Sequence, residues 1–257
     1  MKWIIITIAA AGIIGLGFIS KRKLSAKPEE TKPVSVKGSY APVAVLELFT
    51  AEGCSSCPSA DKLLPQLVRL DSNIIPLSFH VDYWNRLGWT DPFSSSEYSE
   101  RQRNYARQLN LESVYTPQLV INGEYELVGS NRSNAEATIK KVLKEKSLVQ
   151  IDISNVKISD NKVSFISTIS GEYKKTHLLA ALVQKQATVK IKAGENGGVT
   201  LTHINIVRAF ATQNAASQNN FELEIPQKMM NSDWQIVVYA QQQKNLKITG
   251  ASLYKPE

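Results

Sequence analysis

Apolar and polar positions follow two different patterns along the chain, and the change falls near residue 147. Before it, short apolar runs alternate with segments whose apolar residues recur at helical spacing, which predicts alternating strands and helices. After it, Gln, Asn, Ser and Thr become frequent and apolar residues recur at every second position, as in antiparallel strands. We therefore predict two domains, residues 41–147 and residues 148–257.

The individual segments support this division. In the first domain an Asn-Gly pair between two apolar runs is a strong hairpin signal. The predicted order there is a strand at 42–50, a helix at 60–70, a strand at 74–84, a helix at 97–109, a hairpin at 118–128 and a helix at 134–146. In the second domain the regularly spaced short strands favour an antiparallel sandwich. These strands are predicted at 149–153, 162–168, 177–183, 221–225 and 234–240.

The N-terminal region carries a targeting signal. Residues 3–19 form an uncharged apolar run after Lys2, just long enough to span a membrane. We predict that residues 1–22 are a signal peptide or an N-terminal membrane anchor, so that residues 3–19 would serve as a membrane tether in the second case. Residues 23–40 are charged and contain prolines, which indicates a flexible linker. The protein is therefore expected to be exported.

The charge balance argues against nucleic-acid binding. The formal net charge is +7, but 4 of the 30 basic residues lie within residues 1–23, and no acidic residue precedes Glu29. The later part of the chain is nearly neutral and has no basic cluster with interleaved aromatic residues. We expect no nucleic-acid partner.

Both cysteines of the chain, Cys54 and Cys57, lie in a C-x-x-C motif between the first strand and the first helix. The unpaired N–H groups and the dipole of a helix start stabilise a thiolate, which is the reactive form of cysteine. We predict that Cys54 is the exposed attacking thiolate and that Cys57, one turn later, resolves the mixed disulfide. A nearby Glu52 would raise the thiolate pKa, so the direction of electron flow stays open.

Two alternatives to redox chemistry remain at this motif. The pair could be half of a metal site or an inert disulfide, although a structural zinc site needs a second ligand pair and the chain has no further cysteine. A three-residue loop also constrains little chain entropy. We expect no cofactor.

His80, Asp82 and Trp84 end the second predicted strand, at the sheet edge where ligands bind in open α/β folds. His80 could transfer protons, or join the two thiolates as a metal ligand. Asp82 shares a strand face with His80 and could orient it. The alternative is structural: His80 bonds a loop, and Trp84 closes the core. His203 and the Gly194–Gly198 loop are interpreted as structural, the latter as a plain turn.

The order of predicted elements resembles that of thioredoxins. This resemblance places Thr116 and Pro117 where thioredoxins carry a cis-proline beside the dithiol, with backbone that pairs with a substrate peptide. It also suggests that Glu47 is the buried proton acceptor of the resolving thiol, although its spacing from Cys54 is one residue off. An exposed or core-capping glutamate is the alternative for Glu47.

A further set of motifs lies at residues 47–50, 53–61, 79–84, 87–89, 91–93, 101–102, 114–118, 194–198 and 205–208. Together these motifs resemble the secreted bacterial family catalogued as domain of unknown function 1223. The resemblance implies an α/β thioredoxin-like domain followed by an all-β, sandwich-like C-terminal domain, in the bacterial periplasm or cell envelope, with anchoring in the inner membrane as an option. It supplies no substrate.

The sequence therefore predicts an exported thiol–disulfide oxidoreductase that acts through Cys54 and Cys57 on thiol or disulfide protein substrates. One alternative is a copper-binding module that uses the two cysteines with His80. The other is a scaffold with a redox-silent dithiol.

Overall fold

The computed structural model describes residues 40–229 and 233–256. The predicted signal peptide or anchor and all of the predicted linker except Tyr40 lie outside these residues. Within the described part of the chain, no helix is long and apolar enough to cross a membrane.

Strands dominate the described residues. They are β1 Ala44–Thr50, β2 Ile74–His80, β3 Gln118–Ile121, β4 Tyr125–Val128, β5 Val149–Ser159, β6 Lys162–Gly171, β7 Thr176–Lys190, β8 Thr200–Asn214, β9 Gln218–Glu224, β10 Trp234–Gln242 and β11 Ile248–Tyr254. Eight of these strands form one mixed sheet in the order β11-β10-β7-β8-β2-β1-β3-β4, and three form a second sheet in the order β5-β6-β9. The α-helices in this part of the chain are α1 Cys57–Val68, α2 Ser96–Gln108 and α3 Arg132–Val142.

The predicted fold class, a thioredoxin-like α/β domain followed by a separate all-β domain, is wrong. The large sheet runs through both predicted domains, because β8 pairs with β2 in parallel and with β7 in antiparallel. At the junction Ser78 lies opposite Ile206, and the Ser78 hydroxyl donates to the Ile204 carbonyl at 2.8 Å. No strand was predicted over residues 200–214, so the strand that joins the two halves of the chain was missed.

Three apolar clusters hold these layers together. One face of the large sheet packs against α2 and draws residues from both halves of the chain, such as Phe49, Phe79 and Tyr239. On the opposite face, α1 and α3 cover the end formed by β1 and β3. The three-stranded sheet covers the end formed by β7 and β10 on that same face. Since successive strand residues point to opposite faces, neighbours such as Val238 and Tyr239 enter different clusters.

Local chemistry explains several element boundaries that the sequence predicted. The Asn122-Gly123 turn joins β3 to β4 as expected, with φ of 50° and 68° at its two residues. At the start of α2, the Ser95 side chain accepts a hydrogen bond from the Glu97 amide at 3.2 Å, as a helix cap does.

Candidate dithiol site

Cys54 and Cys57 form a disulfide bond at the end of a tight turn between β1 and α1. The Cys54 amide donates to the Ala51 carbonyl, and the Cys57 amide donates to the Cys54 carbonyl, both at 3.2 Å. Helix α1 begins at Cys57. The expectation that Cys54 sits at the helix tip is therefore wrong: it lies in the turn before the helix, because the backbone needs the residues up to Ser56 to leave the strand.

Neither sulfur-bearing residue reaches solvent in this conformation. Both cysteines are 0% exposed, whereas Ser55 and Ser56 between them are exposed. The prediction that Cys54 is exposed is thus wrong. Its side chain turns inward and packs in the same apolar cluster as Phe49.

Thr116, Pro117 and Trp84 do come together beside the disulfide. The Thr116–Pro117 peptide bond is cis, as the resemblance implied. The Thr116 carbonyl oxygen lies 3.8 Å from Cys54 Sγ and accepts a hydrogen bond from the Ser56 hydroxyl at 3.3 Å. The Trp84 indole N–H donates to the Thr116 hydroxyl at 2.8 Å. A stretch far along the chain therefore lies directly against the dithiol turn.

A second distant stretch also contacts that turn. Residues 194–198, which we call the cover loop, connect β7 to β8. The Asn196 amide donates to the carbonyl oxygens of Glu52 and Cys54, both at 2.8 Å. The Glu195 carboxylate accepts a hydrogen bond from the Ser55 amide at 3.0 Å. Hydrogen bonds from the side chain and the amide of Ser55 lower the pKa of Glu195. The interpretation of this segment as a plain turn missed its role at the site, since a loop sequence does not reveal what it packs against.

His80 belongs to a buried polar group beside the turn, but not with the partner expected. Its Nδ1 lies 2.7 Å from Asp91 Oδ2, which also accepts from the Glu52 amide at 2.9 Å. Burial alone would raise the pKa of Asp91. The His80 imidazole and the backbone hydrogen bonds to this carboxylate outweigh burial and lower the pKa below its ordinary value. Asp82 instead accepts from the Ser99 hydroxyl on α2. Asp91, not Asp82, therefore orients His80, because the chain leaves the strand after His80.

His203 completes this buried group from the far half of the chain. Its Nε2 lies 3.4 Å from Glu52 Oε1, and its Nδ1 lies 3.4 Å from Asp61 Oδ2. The His203 and His80 rings meet edge to face, with centroids 4.7 Å apart. Burial alone would lower the pKa of His203, but the two facing carboxylates raise it to about 10. We call Glu52, Asp61, His80, Asp91 and His203 the acid–histidine cluster.

His203 and Asp61 were not among the predicted site residues. A sequence signal for His203 does exist: on β8 it occupies the buried alternate position that follows Leu201. A histidine at such a position needs polar partners inside the protein. What the sequence could not supply was the identity of those partners, which lie on α1 and in the turn after β1.

Glu47 lies in a different buried network. Its carboxylate pairs with Arg101 on α2 at 2.7 Å and accepts from the Tyr239 hydroxyl at 3.0 Å, as well as from Tyr105. Burial raises the pKa of both tyrosines. The hydrogen bonds of Glu47 thus tie β1 to α2 and β10, and the role of proton acceptor for Cys57 stays a prediction.

Among residues 40–229 and 233–256, no group of three or more His, Cys, Asp or Glu side chains has a geometry that could hold a metal ion.

Comparisons with known proteins are consistent with this architecture. A family model described as "Protein of unknown function (DUF1223)" matches residues 45–241. A crystal structure of a protein from Agrobacterium tumefaciens is 27% identical, with a TM-score of 0.64, and the match covers 84% of this chain and 96% of that one. The protein titled HBP35 of Porphyromonas gingivalis is 14% identical, also with a TM-score of 0.64, and covers 85% of this chain and 76% of its own. None of the curated proteins matches the chain.

Proposed function

The chain belongs to the family described as protein of unknown function (DUF1223), and we propose that it is a thiol–disulfide oxidoreductase that works through Cys54 and Cys57. One observation carries the proposal: the Cys54–Cys57 disulfide lies at the start of α1, with a backbone carbonyl of another segment 3.8 Å from Cys54 Sγ.

The helix start favours the chemistry of a leaving thiolate. The first N–H groups of a helix lack intrahelical partners, and the helix dipole stabilises negative charge at this end. The first turn of α1 holds no acidic residue that would oppose this effect. Cys57 is the first residue of α1, so a thiolate formed there gains from both terms.

In the proposed reaction a partner thiolate attacks Cys54 Sγ and the Cys54–Cys57 bond breaks. The electron pair goes to Cys57, and Cys54 is left in a mixed disulfide with the partner. A second partner thiol then attacks the partner sulfur, which releases the reduced protein and an oxidised partner. The reverse sequence reduces a partner disulfide.

The burial of both cysteines places a condition on this reaction. A sulfur with no exposed surface cannot be attacked, so part of its surroundings must move first. The cover loop meets this condition, because it holds the dithiol turn through a few hydrogen bonds from Asn196 and to Glu195. We propose that displacement of the cover loop precedes exchange.

We further propose that the protein acts outside the cytoplasm of a bacterium, in the periplasm or cell envelope, on thiol or disulfide proteins. The support is the apolar run at residues 3–19 and the disulfide, since such bonds persist in oxidising compartments. Cell fractionation of the tagged full chain tests this: recovery in the cytoplasm with a reduced dithiol would contradict it.

The proposed activity is tested with the full chain in insulin reduction. We expect Cys54→Ser and Cys57→Ser to abolish turnover, and Cys57→Ser to accumulate a mixed disulfide through Cys54. Lys62→Ala, an exposed change on α1 away from the dithiol turn, serves as the matched control and should keep activity within about twofold, because surface substitutions of this kind change stability little.

A wild-type chain with no exchange activity, and no trapped partner in Cys57→Ser, would refute the proposal. If that reduced protein then bound one equivalent of copper(I), and His80→Ala weakened the binding, the metal-binding interpretation would replace it. Inactivity in both assays would favour the scaffold.

A further inference from the structure

Cys57 has no solvent contact and must receive a proton when the disulfide opens. As the leaving group it would become a thiolate inside the protein, where desolvation disfavours the charged form. The helix start offsets part of this cost. A side chain that delivers a proton would offset the rest, and it must lie within the buried surroundings of α1.

Asp61 occupies the position from which such delivery is feasible. It lies four residues after Cys57 on α1, and residues at this spacing lie on the same helix face. One of its carboxylate oxygens, Oδ1, accepts from the Thr50 hydroxyl at 3.0 Å. The other, Oδ2, is buried without a hydrogen-bond partner and faces His203 Nδ1 at 3.4 Å.

His203 holds the proton that this route requires. Both of its ring nitrogens are buried without a close hydrogen bond, and each faces a carboxylate oxygen. The His203 ring packs against His80 on β2 and against Phe93. The Arg208 guanidinium lies over the Phe93 ring, 4.8 Å from the ring centroid. The acid–histidine cluster has three carboxylates against two histidines, so an imidazolium between them is electrostatically favoured. Its raised pKa agrees with this geometry.

We propose that His203, acting through Asp61, supplies the proton that Cys57 takes up when the disulfide is opened, and accepts it again when the disulfide forms. The inference rests on the proposed exchange at Cys54. In the balanced step, the incoming thiolate bonds to Cys54 Sγ, the S–S electron pair goes to Cys57 Sγ, and one proton passes from the cluster to that sulfur. The attacking thiol is the reductant. His203 is thus a positioning residue for the proton.

The test is the rate at which dithiothreitol reduces the disulfide of the full chain, measured by thiol alkylation and corrected for the thiolate fraction of the reagent. We expect His203→Gln and Asp61→Asn to reduce the corrected rate about tenfold or more at pH 7, since one proton-transfer group contributes roughly 10²–10⁴-fold in enzymes and water can partly replace it. The deficit of His203→Gln should shrink toward pH 10, where the wild-type imidazole also loses its proton. His177→Gln, on β7, is the matched control and should leave the rate within about twofold of wild type.

A merely structural role would give equal deficits at pH 7 and pH 10, and that result overturns the inference, as does a corrected rate within twofold of wild type at pH 7. If the variants fail to fold, NMR of the wild-type oxidised protein decides: a protonated His203 imidazole at pH 7 is required, and a neutral one refutes the inference. Because dithiothreitol needs no protein substrate, failure of insulin reduction together with no trapped partner in Cys57→Ser would refute the proposed function and not this proton route.

Discussion

Arg101 is the cation that makes the burial of Glu47 tolerable, and its removal gives a stringent test of the fold. Glu47 is 0% exposed in its side chain and Arg101 is 12% exposed, with 2.7 Å between their charged atoms. The guanidinium also lies over the rings of Tyr105 and Tyr239, at 5.1 and 5.6 Å from their centroids. Burial alone would lower the pKa of Arg101, but the Glu47 carboxylate raises it well above its ordinary value.

We predict that Arg101→Met destabilises the protein by about 3–5 kcal/mol, because it leaves a buried carboxylate without a cation. For a domain of this size each kcal/mol shifts the melting temperature by about 2–4 °C. The expected decrease is therefore roughly 6–20 °C. Adding Glu47→Gln to this variant should restore part of the loss, since the double variant has no unpaired buried charge.

The pH dependence has a definite sign. In Arg101→Met the Glu47 carboxylate is buried without a cation, and taking up a proton removes that uncompensated charge. The solvated carboxylate of the unfolded chain gains less from the same proton, so the defect should shrink as the pH falls from 7 toward 4. Thermal and urea unfolding at several pH values measure this.

The matched control is Arg107→Met on the same helix. Arg107 pairs with Glu100, but both side chains are at least half exposed, so solvent screens the pair and its loss should leave the melting temperature close to that of wild type. Equal melting temperatures for Arg101→Met and Arg107→Met, or a defect that does not change with pH, would refute the reasoning.

Three further predictions concern the cover loop, the acid–histidine cluster and the contact between the two sheets. Asn196→Ala removes two hydrogen bonds of about 1 kcal/mol each, so dithiothreitol should reduce the disulfide several-fold faster, and an unchanged rate would contradict the role of the cover loop. The raised pKa of His203 makes its contribution to stability complete below about pH 6.5 and lost as the pH rises through about 10. Urea unfolding should therefore show a steeper loss of stability between pH 7 and 10 for wild type than for His203→Gln, and parallel curves would be inconsistent with an ionised His203. Gly250→Ala would place a Cβ 2.5 Å from the Val149 carbonyl oxygen, so we expect a loss of about 1–3 kcal/mol in denaturant unfolding, whereas wild-type stability would show that the two sheets can separate there at no cost.

Predictions that depend on local pattern agree with the structure. The Asn122-Gly123 hairpin and helix α2 lie where turn chemistry and capping place them, because these signals act over a few residues. The predicted strand at 177–183 lies within β7, which continues to Lys190. The family assignment from scattered motifs is confirmed by the match over residues 45–241.

Several predictions that depend on contacts between distant segments were wrong. No strand was predicted at β8, because the alternation of buried and exposed residues along this strand breaks near Asn205, which adopts a positive φ of 50°. Because this strand joins β2 to β7, its omission led to the prediction of two separate domains in place of one continuous sheet. The exposure of Cys54 was also predicted wrongly, because a helix-start argument considers only the neighbouring backbone and not the segments that pack over it.

By itself the sequence determined the chemistry available to this protein: two cysteines three residues apart, flanked by a strand and a helix, and no other thiol in the chain. Only the tertiary structure decided what surrounds them. Thr116, Asn196 and His203 reach the site from loops and a strand between 60 and 150 residues further along the chain. Strand pairing and side-chain packing bring them there, and these depend on contacts between surfaces that no local sequence pattern encodes.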